Sequence, residues 1–576
     1  MRQALRELGK LYAAPQWHFY LGGTIALIIT NIIVLEIPLL AKQIIDTLAA
    51  RGELKTLSSV AISIILLGLS QVIIRTTSRI LIFWPGRALE ANLKADVFYR
   101  ILIAPLVDII SYSVGELTSR LNNDVTQLRI FFAFGALQVL NVIFISIFTI
   151  SKMASIDSTL TALAISPMLL MLVLTKVVMP HLYKSMRENT EALGRLTAKV
   201  SEAFSQVHVV QMMNAVPAIA SRLEPDNFSI FQSNSRTIWL RTLTWPVMTV
   251  LIGLSQFATL TWGGKQIMAG QLTVGDIMAF NIYIGMLTFP FASLGIILNV
   301  YQRAKPAAER IQMVKTITPE TILTEPAKTS SKERRHLLEV NHLSFRWPDG
   351  RSGVENISFT VDPGERIGVF GKIGSGKSTL FNLLTKLYPI AEGQAYLDGK
   401  DLQFTSPEHV RNLIGYAQQT PLLFSESIKS NMCLGYEDSN VPLAALRDAA
   451  RQADILDDIE KFPESWDTLI GERGIKLSGG QKQRLALARL LLRKTKIIIL
   501  DDVLSAVDHE TENKLITALL GTKAALIIAS HRISILKPCH KIMVLDGGKM
   551  IAFGPYEQVR HFIESDASTT SARGPR

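Results

Sequence analysis

Eight consecutive residues, Gly371-Lys-Ile-Gly-Ser-Gly-Lys-Ser378, carry the clearest chemistry in this chain. They fit the spacing G-x-x-x-x-G-K-[ST], in which glycines let the backbone curl until successive N–H groups point at phosphate oxygens. The apolar run 367–370 before them reads as a strand. A helix is predicted to open near Ser378, and its N-terminus adds partial positive charge. Lys377 can reach β- and γ-phosphates, and the Ser378 hydroxyl can ligate Mg²⁺. Gly371, Gly374, Ser375, Gly376, Lys377, Ser378 and Thr379 are therefore candidate nucleotide-binding residues. A second acidic element must complete a metal site. Ile497-Ile-Ile-Leu-Asp501 has a buried-strand pattern ending in a carboxylate, which suits a group that holds Mg²⁺ beside Ser378.

The elements around these residues read as a soluble α/β unit. From His336 onward short β-rich runs (367–370, 497–500, 525–529, 541–545) alternate with helical segments, which predicts a mostly parallel sheet. Residues 316–335 are polar, with two prolines and a Ser/Thr/Lys cluster, and read as a linker. The small, polar end of the chain, 566–576, is expected to lack structure.

Everything before residue 316 is different. Six stretches, 17–35, 57–74, 130–151, 158–175, 242–264 and 277–302, contain no Asp, Glu, Lys or Arg. Each is long enough to cross about 30 Å of hydrocarbon as a helix. The links alternate in size. The short links 36–56, 152–157 and 265–276 hold five Lys and Arg, whereas the long links 75–129 and 176–241 hold fifteen. Cytoplasmic loops collect positive charge, so the N-terminus and the long links are placed in the cytoplasm. An even number of spans returns the chain there for its ATP-using part. The long links have helical composition with few breakers, so the spans are expected to continue well beyond the membrane.

The expected organisation is thus an all-α six-helix transmembrane region (1–315), the linker (316–335), an α/β nucleotide-binding region (336–565) and a tail (566–576). Across the 576 residues, 48% are hydrophobic and 19% charged, and the net charge is +11. No basic cluster with a nucleic-acid readout motif accompanies that charge, so nucleic acid is not an expected partner. Cys433 and Cys539 are far apart and form neither a disulfide framework nor a metal spacing, which fits a reducing cytoplasm. The first apolar run is too long for a cleaved signal peptide, so no processing is expected.

Between the two nucleotide elements stands Leu477-Ser-Gly-Gly-Gln-Lys-Gln-Arg484. Here the chain resembles the ATP-binding-cassette (ABC) family, whose signature is LSGGQ. Gln419 in Ile414-Gly-Tyr-Ala-Gln-Gln-Thr-Pro421 and His531 in Ile528-Ala-Ser-His-Arg532 match further family pieces in order. Ser505-Ala-Val-Asp508 is similar to the D-loop, and Gly471-Glu-Arg-Gly474 to an element typical of exporters. Trp347 sits where the family stacks an aromatic on adenine. The resemblance extends upstream, where Gly115-Glu-Leu-Thr-Ser-Arg-Leu-Asn-Asn-Asp124 and 193–215 resemble the two cytoplasmic coupling segments of exporter half-transporters. Gly270-Gln-Leu-Thr-Val-Gly-Asp276 and 303–311 match what flanks the sixth helix. The resemblance implies ATP and Mg²⁺ as cofactors, with Gln419 joining Ser378 and Asp501 at the metal. It also implies that Ser478, Gly479, Gly480 and Gln481 bind the γ-phosphate held by a second subunit, so that the sites are completed only in a dimer. An ATP hydrolase coupled to transport, in a bacterial inner membrane with both termini cytoplasmic, follows from the same resemblance.

One position departs from the family. The residue after Asp501, usually a Glu that polarises the attacking water, is Asp502. Catalytic work is expected of Asp502, His531 and Gln419, but one methylene less withdraws the carboxylate by roughly 1 Å, a misplacement that can cost about 100-fold in rate. Hydrolysis at this site is expected to be slow, while the intact signature serves a partner. That pattern resembles the degenerate half of heterodimeric exporters. The alternative is a homodimeric lipid flippase or multidrug exporter, and an ATP-gated channel or regulator is a third reading. The spans carry amides and aromatics that suit an amphipathic drug, lipid or peptide. Glu36, just beyond the first run, either meets a cationic substrate or faces headgroups and water.

Overall fold

In the computed structural model the described residues are 2–50, 54–317, 336–347, 349–436, 441–471, 476–504 and 509–571. The chain divides into two compact units, Met1–Tyr99 with Ser113–Thr316 and Arg100–Tyr112 with Ile317–Arg576. Most of the expected linker lies outside the described residues.

The first unit is helical. Its long helices are α1 (Trp17–Ala49), α2 (Leu54–Ile103), α3 (Ala136–Ile156), α4 (Ser158–Ser205), α5 (Val216–Met268) and α6 (Val274–Thr316). Every expected span falls within helix. Among the described residues, five stretches are long and apolar enough to cross a membrane: Gln3–Ala49, Leu54–Ile103, Val114–Ile156, Pro246–Met268 and Val274–Thr316. The remaining expected span opens α4, where the described apolar part is Ser158–Leu170. The helices far outrun a bilayer. With 50, 48 and 53 residues, α2, α4 and α5 are about 70–80 Å long at 1.5 Å per residue.

Burial follows from that environment. Ile62, Leu66, Leu69 and Ile73 on α2 are more than half exposed, which suits lipid rather than water. Leu35, Met153, Met168, Phe280, Tyr283 and Leu287 form an inner cluster instead. The Tyr283 hydroxyl, buried there, donates to the Leu35 carbonyl at 2.9 Å and so is satisfied.

Two of the quoted sequence pieces act as joints. In Gly270–Asp276 the Gly275 N–H donates to Asp46 Oδ1 at 3.0 Å, and Lys42 pairs with Asp276 at 2.6 Å. A Cβ on Gly275 would lie 2.6 Å from the Lys42 carbonyl, so only glycine lets α1 approach this closely. Asp124 accepts from Arg310 Nε at 2.7 Å and Nη2 at 2.5 Å, tying the 115–124 segment to α6. Glu36 is paired with Lys152 at 2.7 Å.

The second unit carries a ten-stranded sheet. Its strands are β1 (Leu338–Arg346), β2 (Ser352–Val361), β3 (Arg366–Gly371), β4 (Ala395–Leu397), β5 (Lys400–Asp401), β6 (Ile414–Ala417), β7 (Ile497–Asp501), β8 (Ala525–Ala529), β9 (Lys541–Asp546) and β10 (Lys549–Gly554). Their order is β5-β4-β1-β2-β10-β9-β3-β8-β7-β6. The run β9-β3-β8-β7-β6 is parallel throughout, as its unbroken apolar strands predict. The β5-β4-β1-β2 wing is antiparallel and goes beyond the expected mostly parallel sheet. Its strands are short or half-exposed, so their apolar content is too thin to mark them.

Arg100–Tyr112 groups with this second unit. After α2 stops before Pro105, the turn Leu106–Ile109 sets Val107 against the core of β1, β2 and β3. The 115–124 segment groups with the first unit. At the far end, the helix Tyr556–Ser571 continues through part of the stretch expected to be without structure.

Candidate functional site

Ligands in open α/β sheets bind beyond the carboxyl ends of the strands. Here the ends of β3, β7 and β8 deliver the loop 371–376, Asp501 with Asp502, and His531 to one cleft of about 740 Å³. That volume is ample for a nucleoside triphosphate. The loop 371–376 then opens α7 (Lys377–Leu384). Gly374 and Gly376 have φ of +81° and +99°, conformations that cost other residues dearly. A Cβ on Gly371 would lie 2.5 Å from the Leu545 carbonyl, so the first glycine serves packing against β9.

Gly374, Ser375, Gly376, Lys377, Ser378, Thr379, Trp347, Gln419, Asp501, Asp502 and His531 all line this cleft. Lys377 is folded into the loop, where its Nζ donates to the carbonyls of Gly371 at 2.5 Å and Lys372 at 2.9 Å. Burial pushes the Lys377 ammonium below its ordinary pKa, while Asp501 and Asp502 pull it back up. A phosphate would replace neutral carbonyls with anionic acceptors, the stronger kind of partner.

Ser378 Oγ donates to Asp501 Oδ2 at 2.6 Å, and the Tyr416 hydroxyl reaches the same oxygen at 3.3 Å. A hydroxyl, a carboxylate and the nearby Gln419 amide are all hard oxygen donors, which fits Mg²⁺. Among the described residues no three His, Cys, Asp or Glu gather as a metal cage. Mg²⁺ needs none, since it is usually held by one or two protein ligands together with phosphate and water.

Asp502 has φ of +50°, a left-handed conformation that aspartate tolerates better than most residues. Burial pushes its carboxyl above the ordinary value, and Asp501 adds to that, against the pull of His531, Lys377 and Arg532. A raised carboxyl pKa brings a base closer to working pH. The shorter side chain limits its reach, not its basicity. His531 meets the buried Phe370 edge-on at 6.4 Å. Trp347 packs edge-on against Phe345 and Tyr388, forming an aromatic wall of the cleft.

The signature residues are not in this cleft. Ser478 caps α8 (Gly479–Leu492): its Oγ accepts from the Gln481 N–H at 3.2 Å, and Gln481 Oε1 accepts from the Ser478 N–H at 3.0 Å. Gly479 has nothing within 4 Å of where a Cβ would stand. The first turn of α8 is therefore exposed and self-capped. Residues 472–474 of the 471–474 piece, and the whole of 505–508, lie outside the described residues.

Several residues at the site carry no motif of their own. Tyr416, whose hydroxyl reaches Asp501 Oδ2, sits inside the quoted Gln419 run. Arg351 lines the cleft close to Trp347, in a turn with no motif of its own. Ile110 arrives from the Leu106–Ile109 turn. The only local signal for it was Pro105, which breaks a helical run.

Comparison with known proteins agrees with this geometry. A family model described as ABC transporter matches residues 354–505, and one described as ABC transporter transmembrane region matches 20–291. The chain is 28% identical over 569 residues to the probable multidrug resistance ABC transporter ATP-binding/permease protein YheI of Bacillus subtilis (strain 168), covering 97% of this chain and 96% of that protein. It is 30% identical over 563 residues to the multidrug resistance-like ATP-binding protein MdlA of Buchnera aphidicola subsp. Schizaphis graminum (strain Sg), covering 96% and 95%. A solved structure of a bacterial Atm1-family ABC exporter with ATP bound has the same fold, with a TM-score of 0.77 at 22% identity over 99% of both chains.

Proposed function

The chain belongs to the ABC transporter family, with a multi-pass membrane region fused to an ATP-hydrolysing one, and from that premise we propose that it is one half of an ATP-driven exporter. Its cargo is an amphipathic drug, lipid or peptide moved out of the cytoplasm or inner leaflet. Residues 1–315 form the membrane region and 336–565 the ATPase. The short links face outward, and both termini lie in the cytoplasm of a bacterial inner membrane.

One observation carries the reading. The cleft gathers Lys377, Ser378, Asp501, Asp502 and His531, while Ser478 caps its own helix elsewhere with an exposed first turn. A γ-phosphate held by Lys377 needs further donors, and the free end of α8 from a second subunit supplies them. The tip of the α4–α5 hairpin supports a second subunit as well, since Met212 and Met213 are 80% and 72% exposed there. ATP is held by the loop 371–376 and Lys377, with Trp347 beside the base. Ser378, Asp501 and Gln419 would hold Mg²⁺, whose charge would neutralise the phosphate oxygens. Relatives named for multidrug resistance favour a drug-like amphiphile.

The partner is a different chain. Asp502 leaves this site slow, and a partner bearing Glu at the matching position hydrolyses ATP against this chain's signature. The test is ATP turnover by the chain alone and by the complex it co-purifies with. Asp502→Glu raises turnover about 10- to 100-fold at this site. Fast turnover by the unaltered chain alone would sink the asymmetric reading and leave a homodimeric exporter.

A further inference from the structure

The membrane unit contains a polar cavity of about 290 Å³ between α1, α2, α3 and α6. Two of its lining residues are cations, Arg75 and Arg79, one helical turn apart on α2. Like charges at this spacing repel. Among the described residues neither forms an ion pair, although carboxylates elsewhere in this unit do: Glu36 with Lys152, Asp276 with Lys42, Asp124 with Arg310. Glu36, just beyond the first span, is thus paired, and among the described residues the two arginines are not. Ionisable groups set against membrane helices are costly and mark a path or site when they face the bundle interior.

A second observation points the same way. Asn31 lines the cavity at 3% exposure, and among the described residues its Nδ2 has no hydrogen-bond acceptor. A buried amide donor without an acceptor is destabilising unless something arrives to accept from it. Gln138, also buried, and Gln71 add amides to the same wall. By contrast, the buried Ser78 hydroxyl is already used, donating to the Gly23 carbonyl at 2.8 Å and so fixing α2 against α1. The cavity is therefore rich in donors and positive charge and poor in anionic acceptors. Its remaining wall is apolar, with Leu27 and Phe289 among its members.

Building on the exporter reading, we propose that this cavity binds the acidic headgroup of an anionic amphiphile, a phosphate or carboxylate on an apolar chain. Arg75 and Arg79 supply charge, and Asn31 Nδ2 donates to a headgroup oxygen. The volume decides how much of the cargo enters. Drug-sized ligands occupy about 300–1,000 Å³, so the headgroup and the start of the tail fit, and the rest of the tail lies along the helices. The specificity is opposite in sign to the cation contact that Glu36 alone would suggest.

The test is equilibrium binding of radiolabelled dodecyl phosphate to the full-length transporter in phosphatidylcholine nanodiscs, without nucleotide. Competition with dodecanoate should be at least about tenfold tighter than with dodecyltrimethylammonium. Arg75→Gln with Arg79→Gln should weaken binding at least about tenfold, and Asn31→Leu by several-fold. Arg75→Lys with Arg79→Lys should stay within about threefold of the unaltered protein, which separates charge from folding. Equal affinity for the cationic amphiphile, or full affinity in the double glutamine variant, overturns the proposal. Methyl phosphate competing as well as dodecyl phosphate also overturns it, because the ligand would then be a free anion. ATP turnover is measured separately. Its absence alongside intact dodecyl phosphate binding would refute the exporter and spare the cavity, and the reverse would do the opposite.

Discussion

The nucleotide cleft and the membrane cavity both gather cations around a space, yet they compensate them differently. In the cleft, Lys377 already donates to two carbonyls and stands near Asp501 and Asp502, and Ser378 is bonded to Asp501. The site is held in shape before any phosphate arrives. In the cavity, Arg75 and Arg79 share a helix turn without a carboxylate among the described residues, and Asn31 keeps a buried donor unused. A preorganised site spends little on rearrangement when the ligand binds and when charge develops. An uncompensated one leaves more of its electrostatics to the ligand, which suits a site that must also let go. The contrast separates a place for chemistry from a place for passage.

Three changes would break or sharpen that contrast. The largest is Lys377→Ala, which removes the central charge of the cleft and should weaken ATP binding about 100-fold. Dodecyl phosphate affinity should remain within about twofold, because the two sites belong to separate units and share no residue, and additivity holds for unconnected residues. Parallel titrations of a fluorescent ATP analogue and of dodecyl phosphate read both, and a matching loss at the two sites would dissolve the distinction. Next is Ser478→Gly, which deletes a hydroxyl but keeps a tolerable helix cap, at a stability cost of a few tenths of a kcal/mol. Turnover in the assembled transporter should fall about tenfold, with a thermal midpoint shifted by no more than about 2 °C. Unchanged turnover would show that the free end of α8 contributes nothing to a neighbour's phosphate. The smallest is Glu36→Gln. Its pair with Lys152 is half-exposed, and such pairs contribute only about 0–1 kcal/mol. Dodecyl phosphate affinity should move by less than about twofold, and a large gain would mean that Glu36, too, shapes the cargo's charge.

How far each site was legible follows from how it is assembled. Gly371 to Ser378 is a continuous piece of chain, and its strand, turn and helix are set by neighbours within a few residues. Asp501 ends an apolar strand whose pattern is visible in five letters. Asp502, Gln419 and His531 were found because the pieces around them follow one another in a familiar order, and β3, β7 and β8 then bring their ends together. The membrane spans were legible for a similar reason, since an uncharged run of about 20 residues is a local property. Arg75 and Arg79, by contrast, counted only as positive charge in a long link. The cavity that gives them meaning needs Asn31 and Gln138 from two other helices, and no spacing along the chain announces that meeting.

The sequence alone therefore determined the two classes of structure, the strand–loop–helix around Gly371–Ser378, the carboxylate of Asp501 at a strand end and the shorter side chain of Asp502 beside it. These depend on residue type, short-range periodicity and one strand–loop–helix geometry. Tertiary structure alone decided that Arg100–Tyr112 groups with the ATPase unit, and that Asp124 is held by Arg310 across 186 residues. It also decided that Arg75 and Arg79 of one helix line a cavity together with Asn31 and Gln138 of two others. The physical reason is common to all three. Each arises from packing between segments distant in sequence, where shape and desolvation, rather than local pattern, choose which side chains meet.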